Sequence, residues 1–171
     1  IMIVEHFLRW NESAPARQRA AAAAALARAF VCRELDFEDR CAAEAALTLL
    51  LDDPSEKVRL ALAETLSISS RAPAQIIRAL SMDQPSIAGF VLARSPLLSD
   101  GQLVDLLAEA DERSQVFIAM RPSLSMQVCA AVAEIGTVDA CLELLDNSGA
   151  DLASMSLRRM ADRHGGNVRL R

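Results

Sequence analysis

The sequence predicts an all-α fold, and within that class an α-solenoid, a row of stacked helical hairpins with about 9–11 helices. Three observations predict it. The composition is 52% hydrophobic and only 4% aromatic, with 31 Ala against 6 Gly and 6 Pro, too few turn-formers for an all-β chain of 171 residues. No run of β-branched residues alternates with period 2, so no sheet is expected. Joints of Asp-Pro type open amphipathic stretches and recur about every 30 residues.

Residues 1 to 10 carry Ile3, Val4, Phe7, Leu8 and Trp10, a short apolar helix broken at Asn11 to Ala14. Pro15 suits a first helical position, and an Ala-rich helix is expected to run to about Glu34. Asp36 then caps a helix from Phe37 to about Leu51. In Asp52-Asp53-Pro54-Ser55-Glu56, Asp is expected at the N-cap, Pro at N1 and an acid at N3, where the helix dipole favours it. Val58, Leu62, Thr65 and Leu66 follow as a helical stripe. Pro73 opens a helix with Ile76, Ile77 and Leu80.

Asp83-Gln84-Pro85-Ser86 repeats the joint before Ile87, Val91 and Leu92. Ser99 to Gln102 reads as a capping box. A short helix spans Arg113 to Met120 and stops near Pro122. Ser125 caps the next, which carries Val128, Ala131, Val132 and Ile135. Gly136 is expected in the left-handed position after it, with Thr137 capping the helix of Val138, Leu142 and Leu145. Asn147 to Ala150 is a turn, and Leu152, Met155, Leu157 and Met160 line a last helix ended by Gly165-Gly166.

The joints at Asp53-Pro54 and at Asp83 to Pro85 have weaker echoes near Glu112 and Asn147. A pair of short helices cannot bury its apolar stripe alone, so neighbouring units must stack, as HEAT-like repeats do. Residues 1–51 are read as an N-terminal cap, 52–165 as one continuous repeat domain and 166–171 as a tail. A plain helical bundle is the competing arrangement. The start at Ile1 before Met2 suggests a piece of something longer.

Charge narrows the partners. With 18 Lys+Arg against 23 Asp+Glu the net is -5, which argues against a generic phosphate-backbone binder. Lys57 is the single Lys, and GC-rich coding bias explains the Arg without special chemistry. Cys32, Cys41, Cys129 and Cys141 form no CxxC and sit in apolar stretches, the pattern of small buried hydrophobes in a reducing cytoplasm. No stretch of 18 apolar residues is present. No metal or cofactor is expected, no phosphate loop is visible, and His6 and His164 have no catalytic neighbours in sequence.

Several strings carry a family resemblance. They are Asp53-Pro54-Ser55, Val58 to Glu64, Ala72-Pro73 with Ile76-Ile77, Leu80 and Asp83, then Val91-Leu92, Ser95 to Asp100 and Leu103. Ile118 to Arg121, Leu124-Ser125, Val128 and Leu145-Asp146-Asn147 with Ala150 complete them. From Asp52 to Ala150 the chain resembles DUF2336, a bacterial family of unknown function found mainly in alphaproteobacteria. The resemblance implies a helical repeat fold and cytoplasmic residence. It implies no established reaction and supplies no catalytic residues.

Two readings stand at Arg59, Arg94 and Arg121, which follow or interrupt apolar stripes. Arg at matching places in successive units makes a ladder for an acidic helix, a carboxylate or a phosphate. Alternatively each pairs internally, with Asp83, Asp100, Asp111 or Glu112, or caps a carbonyl. Ser95 to Asp100 is read as a fixed turn with Leu97 and Leu98 plugging the core, and Phe7 with Trp10 as a terminal apolar patch. The expected function is a non-catalytic protein or peptide interaction module, a bacterial cytoplasmic scaffold or regulatory adaptor. The alternative is an anion, second-messenger or nucleic-acid binder on the same scaffold.

Overall fold

The computed structural model describes residues 2–170, and the side chains of residues 5–169. Among them lie eleven α-helices: α1 (Met2–Ser13), α2 (Ala16–Cys32), α3 (Phe37–Leu50), α4 (Glu56–Leu66), α5 (Ala74–Ser81), α6 (Pro85–Arg94), α7 (Asp100–Glu109), α8 (Glu112–Ala119), α9 (Met126–Ile135), α10 (Val138–Asp146) and α11 (Ser154–His164). A 3₁₀ turn, Val168–Leu170, follows. The described residues form no strand. Leu124 and Ala150 make one isolated parallel bridge, in which Leu124 N–H donates to Gly149 O and Asp151 N–H to Leu124 O.

Local cap chemistry sets most helix starts. Asp36 accepts from Asp39 N–H, Asp111 from Ser114 N–H, Ser125 from Val128 N–H and Thr137 from Ala140 N–H. Ser99 and Gln102 close the expected capping box in both directions. Helices of 8 to 17 residues are marginal alone, so packing must hold them. α2 packs on α4, α4 on α6, α6 on α8 and α8 on α10, while α1 packs on α3, α7 on α9 and α9 on α11. The Ala-rich α2 shares the longest contact, with α4, because Ala23 and Ala27 are fully buried and let the axes approach. The core continues through Phe30, Leu47, Leu62, Ile76, Ile87 and Ile118. Burying each such side chain stabilises the fold by about 1.5–3 kcal/mol.

Several expectations change. The first helix runs on through Asn11 and Glu12 to Ser13, and Ala14 N–H donates back to Trp10 O. The side chains of Ile3 and Val4 lie outside the described ones. Pro15 is the N-cap of α2 rather than its first residue. α4 starts at Glu56 with Ser55 at its N-cap, since the Asp53 carboxylate is taken by Arg19 and by Ser55 N–H. Gly136 keeps φ at -67°, not the left-handed region. Glycine is needed there for space, because a Cβ would lie 2.4 Å from Val132 O. In α11 only Met160 of the expected stripe is buried. Met155 is 80% exposed and Leu157 faces water, while Ser156 packs inward. Cys129 and Cys141 are buried as expected, but Cys32 and Cys41 are exposed.

Candidate functional site

The three singled-out arginines do not form a ladder. Arg59 is held inside the fold: Nε lies 2.7 Å from Asp83 Oδ2, Nη2 3.3 Å from Oδ1, and Nη1 donates to Asp53 O. Its hydrogen bonds to the Asp83 carboxylate raise the Arg59 guanidinium above its usual value. Arg121 is buried and donates to Leu92 O and Ser95 O, closing the C-terminal end of α6. Burial pulls its pKa down, and Asp100 only partly offsets this. Arg94 alone of the three is exposed, with its guanidinium 5.1 Å from the Phe90 ring centre.

Arg94 belongs to a different constellation. α6 buries Ile87, Ala88, Gly89, Val91 and Leu92, which leaves Phe90, Ala93 and Arg94 toward the opposite face. α8 buries Ser114, Gln115, Ile118 and Ala119, leaving Arg113 and Phe117 outward. In each helix an arginine and a phenylalanine are four residues apart, the spacing that puts side chains on one face. Arg113 sits 5.9 Å from the Phe117 ring centre. The two pairs meet because position 89 has no side chain. A Cβ on Gly89 would stand 2.6 Å from Phe117 Cε2, so the ring lies directly on the α6 backbone.

The result is an open groove of about 440 Å³ lined by Phe90, Ala93, Arg94, Arg113, Phe117 and Met120. Ser86, Gly89 and Pro122 also line it, and among the described residues no carboxylate does, in a chain whose net charge is -5. Phe90 and Phe117 are half-buried and Met120 is 47% exposed. Among the described residues neither Arg94 nor Arg113 makes a hydrogen bond or an ion pair; each rests on its ring by cation–π contact. The groove offers an apolar floor and two exposed positive forks. That chemistry suits a bulky apolar group with carboxylates beside it.

Of the four lining residues that carry the site, only Arg94 was singled out from sequence. Phe90, Arg113 and Phe117 were missed, although Phe-x-x-x-Arg and Arg-x-x-x-Phe on two short helices are legible as i, i+4 pairs. The remaining motifs serve the fold. Ser95 is fully buried and accepts from Leu97 N–H, Leu98 is buried, and Leu97 packs against the core. Phe7 and Trp10 lie 6.0 Å apart, with Trp10 40% exposed. His164 Nε2 lies 3.2 Å from Gly136 O, and His6 is exposed. Among the described residues no three His, Cys, Asp or Glu side chains are placed to hold a metal ion. None of the described helices is long and apolar enough to cross a membrane.

The described residues form an all-helical fold with an open groove between α6 and α8. Residues 87–171 match DUF2336, described as an uncharacterised protein conserved in bacteria, and this half of the chain belongs to that family. The match begins at Ile87 rather than Asp52 and runs to the end rather than to Ala150. It contains every groove residue except Ser86. No curated protein and no solved structure matches the chain.

Proposed function

We propose that this chain is a non-catalytic interaction module of the bacterial cytoplasm, a scaffold or regulatory adaptor that docks a protein or peptide in the α6–α8 groove. Its helices are read as HEAT-like hairpins stacked into an α-solenoid, with residues 1–51 as the cap. The succession α2, α4, α6, α8, α10, each packed on the next, supports that reading, as does the recurrence of the Asp joints. A short solenoid presents a preformed surface, which limits the ordering cost of docking.

The single observation that carries the function is the pair of unpaired guanidiniums, Arg94 and Arg113, over the half-buried rings of Phe90 and Phe117. Aromatic and arginine side chains supply most of the energy at protein interfaces. A benzophenone side chain introduced at Met120, on the groove rim, tests it. Photolysis in native cells is expected to attach a protein, and Arg94→Glu with Arg113→Glu is expected to abolish the adduct. An adduct that survives both substitutions, or appears equally from a benzophenone at remote Met155, sinks the reading.

A further inference from the structure

The groove has a complement on the same molecule. Phe37, at the first position of α3, is 82% exposed, although burial of such a ring is strongly favourable. It is enclosed in sequence by Asp36, Glu38 and Asp39, all exposed, with Glu34 two residues before Asp36. Among the described residues no Arg or Lys forms an ion pair with any of these four carboxylates. Asp36 uses one oxygen to accept from Asp39 N–H. The helix cap thus fixes the knob, an outward phenylalanine flanked in sequence by four carboxylates, with Arg33 and Arg40 beyond them.

From these two surfaces we infer that the occupant of the α6–α8 groove is the Asp36–Asp39 knob of a second copy of this chain. The inference rests on the reading of the groove as a protein-docking site. Phe37 seats between Phe90 and Phe117, where offset ring contacts form. Asp36, Glu38 and Asp39 meet Arg94 and Arg113, the cations that line the groove among the described residues. The knob lies at the start of α3 and the groove between α6 and α8, so donor and acceptor are different surfaces. Two copies can seat both knobs reciprocally about a two-fold axis, which closes a pair, or pass the contact on to a third copy, which builds a chain or ring. A nucleic acid fits less well, since two cations neutralise few phosphates.

Sedimentation velocity over a wide concentration range tests this with the intact chain. The wild type is expected to rise from the 18.5 kDa of one chain to two chains or a higher multiple, and added salt to weaken the assembly. Phe37→Asp removes the knob, and Arg94→Glu with Arg113→Glu spoils the groove; each is expected to weaken self-association by about tenfold or more. All three positions are exposed, and unchanged circular dichroism and melting temperature check that the variants fold. Mixed in equal amounts, the two variants are expected to recover pairing but stop at two chains, since one supplies the groove and the other the knob. A wild type monomeric throughout, assembly unaffected by either variant, or a mixture that does not pair overturns the proposal. A labelled peptide of residues 33–40 separates the two levels. If it binds with NMR shifts at Gly89 and Phe117 while the chain stays monomeric, the second-copy occupant is overturned and the docking groove stands. Groove shifts caused by an oligonucleotide and not by the peptide overturn both.

Discussion

The Asp53 carboxylate accepts two hydrogen bonds from Arg19, Nε to Oδ2 at 2.9 Å and Nη2 to Oδ1 at 3.0 Å, and joins the first turn of α2 to the joint before α4. Arg59 makes the same kind of contact, reaching from α4 to Asp83 before α6. On α6 no arginine does this; Gly89 instead has the ring of Phe117 against its backbone.

The first pair makes stability acid-sensitive. Burial alone would raise the Asp53 carboxyl, but the Arg19 guanidinium and Ser55 N–H outweigh it and hold the group below its ordinary value. A depressed folded-state pKa stabilises the fold above the unfolded value, about 3.9 for Asp, and that contribution is lost as pH falls through the folded value. Asp53→Asn is expected to lower the melting temperature at pH 7 by a few degrees. Below about pH 4 its melting curve should converge on that of the wild type. Thermal melts across pH 2 to 8, monitored by circular dichroism, check this; parallel curves at every pH refute it.

Arg121 and Arg94 should separate a structural arginine from a surface one. Arg121→Met leaves Leu92 O and Ser95 O without their donor in a buried place, at a cost of about 2–4 kcal/mol. Arg94→Ala removes an exposed side chain with no polar partner and is expected to change stability by less than about 0.5 kcal/mol. Urea titrations of both variants decide it.

These contrasts mark what could be read from the residues. The caps at Asp36, Ser99, Ser125 and Thr137 were legible, because an N-cap bond spans three residues and depends on little else. The partner of Asp53 was not, since Arg19 is 34 positions away and competes with the helix amides for the carboxylate. The bonds from Arg121 reach back 26 and 29 positions for the same reason. Likewise the i, i+4 pairs Phe90–Arg94 and Arg113–Phe117 are local, but their meeting in one groove depends on how α6 lies against α8. Gly136 was misread because sequence reports a glycine without reporting whether conformation or space requires it.

Space at the glycines gives a third expectation. At Gly149 a Cβ would sit 1.9 Å from Pro122 O, a backbone atom that cannot swing aside without disturbing the Leu124–Ala150 bridge. Gly149→Ala is expected to destabilise by more than about 2 kcal/mol. Gly101 has nothing within 4 Å of its would-be Cβ and lies in the first turn of α7. Gly101→Ala should instead stabilise by about 0.5–1 kcal/mol through the smaller entropy loss on folding. Equal effects at the two sites refute the packing argument.

Thiol chemistry follows the burial split. Burial pushes the Cys129 and Cys141 thiols above their usual value, and both point at buried carbonyls, Leu124 O and Val132 O. Cys32 and Cys41 are open to solvent. A thiol reagent at pH 8 is expected to modify Cys32 and Cys41 in the native protein, and Cys129 and Cys141 only after denaturation. Mass spectrometry of the labelled peptides reads it directly; early labelling of Cys141 contradicts the closed core.

Gly89→Ala probes the groove without touching a charge. In a helix interior Ala is favoured over Gly by about 1 kcal/mol. Against this, the new methyl would come 2.6–2.8 Å from three atoms of the Phe117 ring, so the ring must move. The ring is half-buried and borders open space, so it can turn into the groove at small cost. The two effects are expected to cancel to within about 1 kcal/mol in urea unfolding, while the Phe117 ring protons shift and the space between the two phenylalanines narrows. Self-association through Phe37 should then fall although Arg94 and Arg113 are intact. A large loss of stability would mean that Phe117 is locked against α6 as core, and the groove would lose its floor.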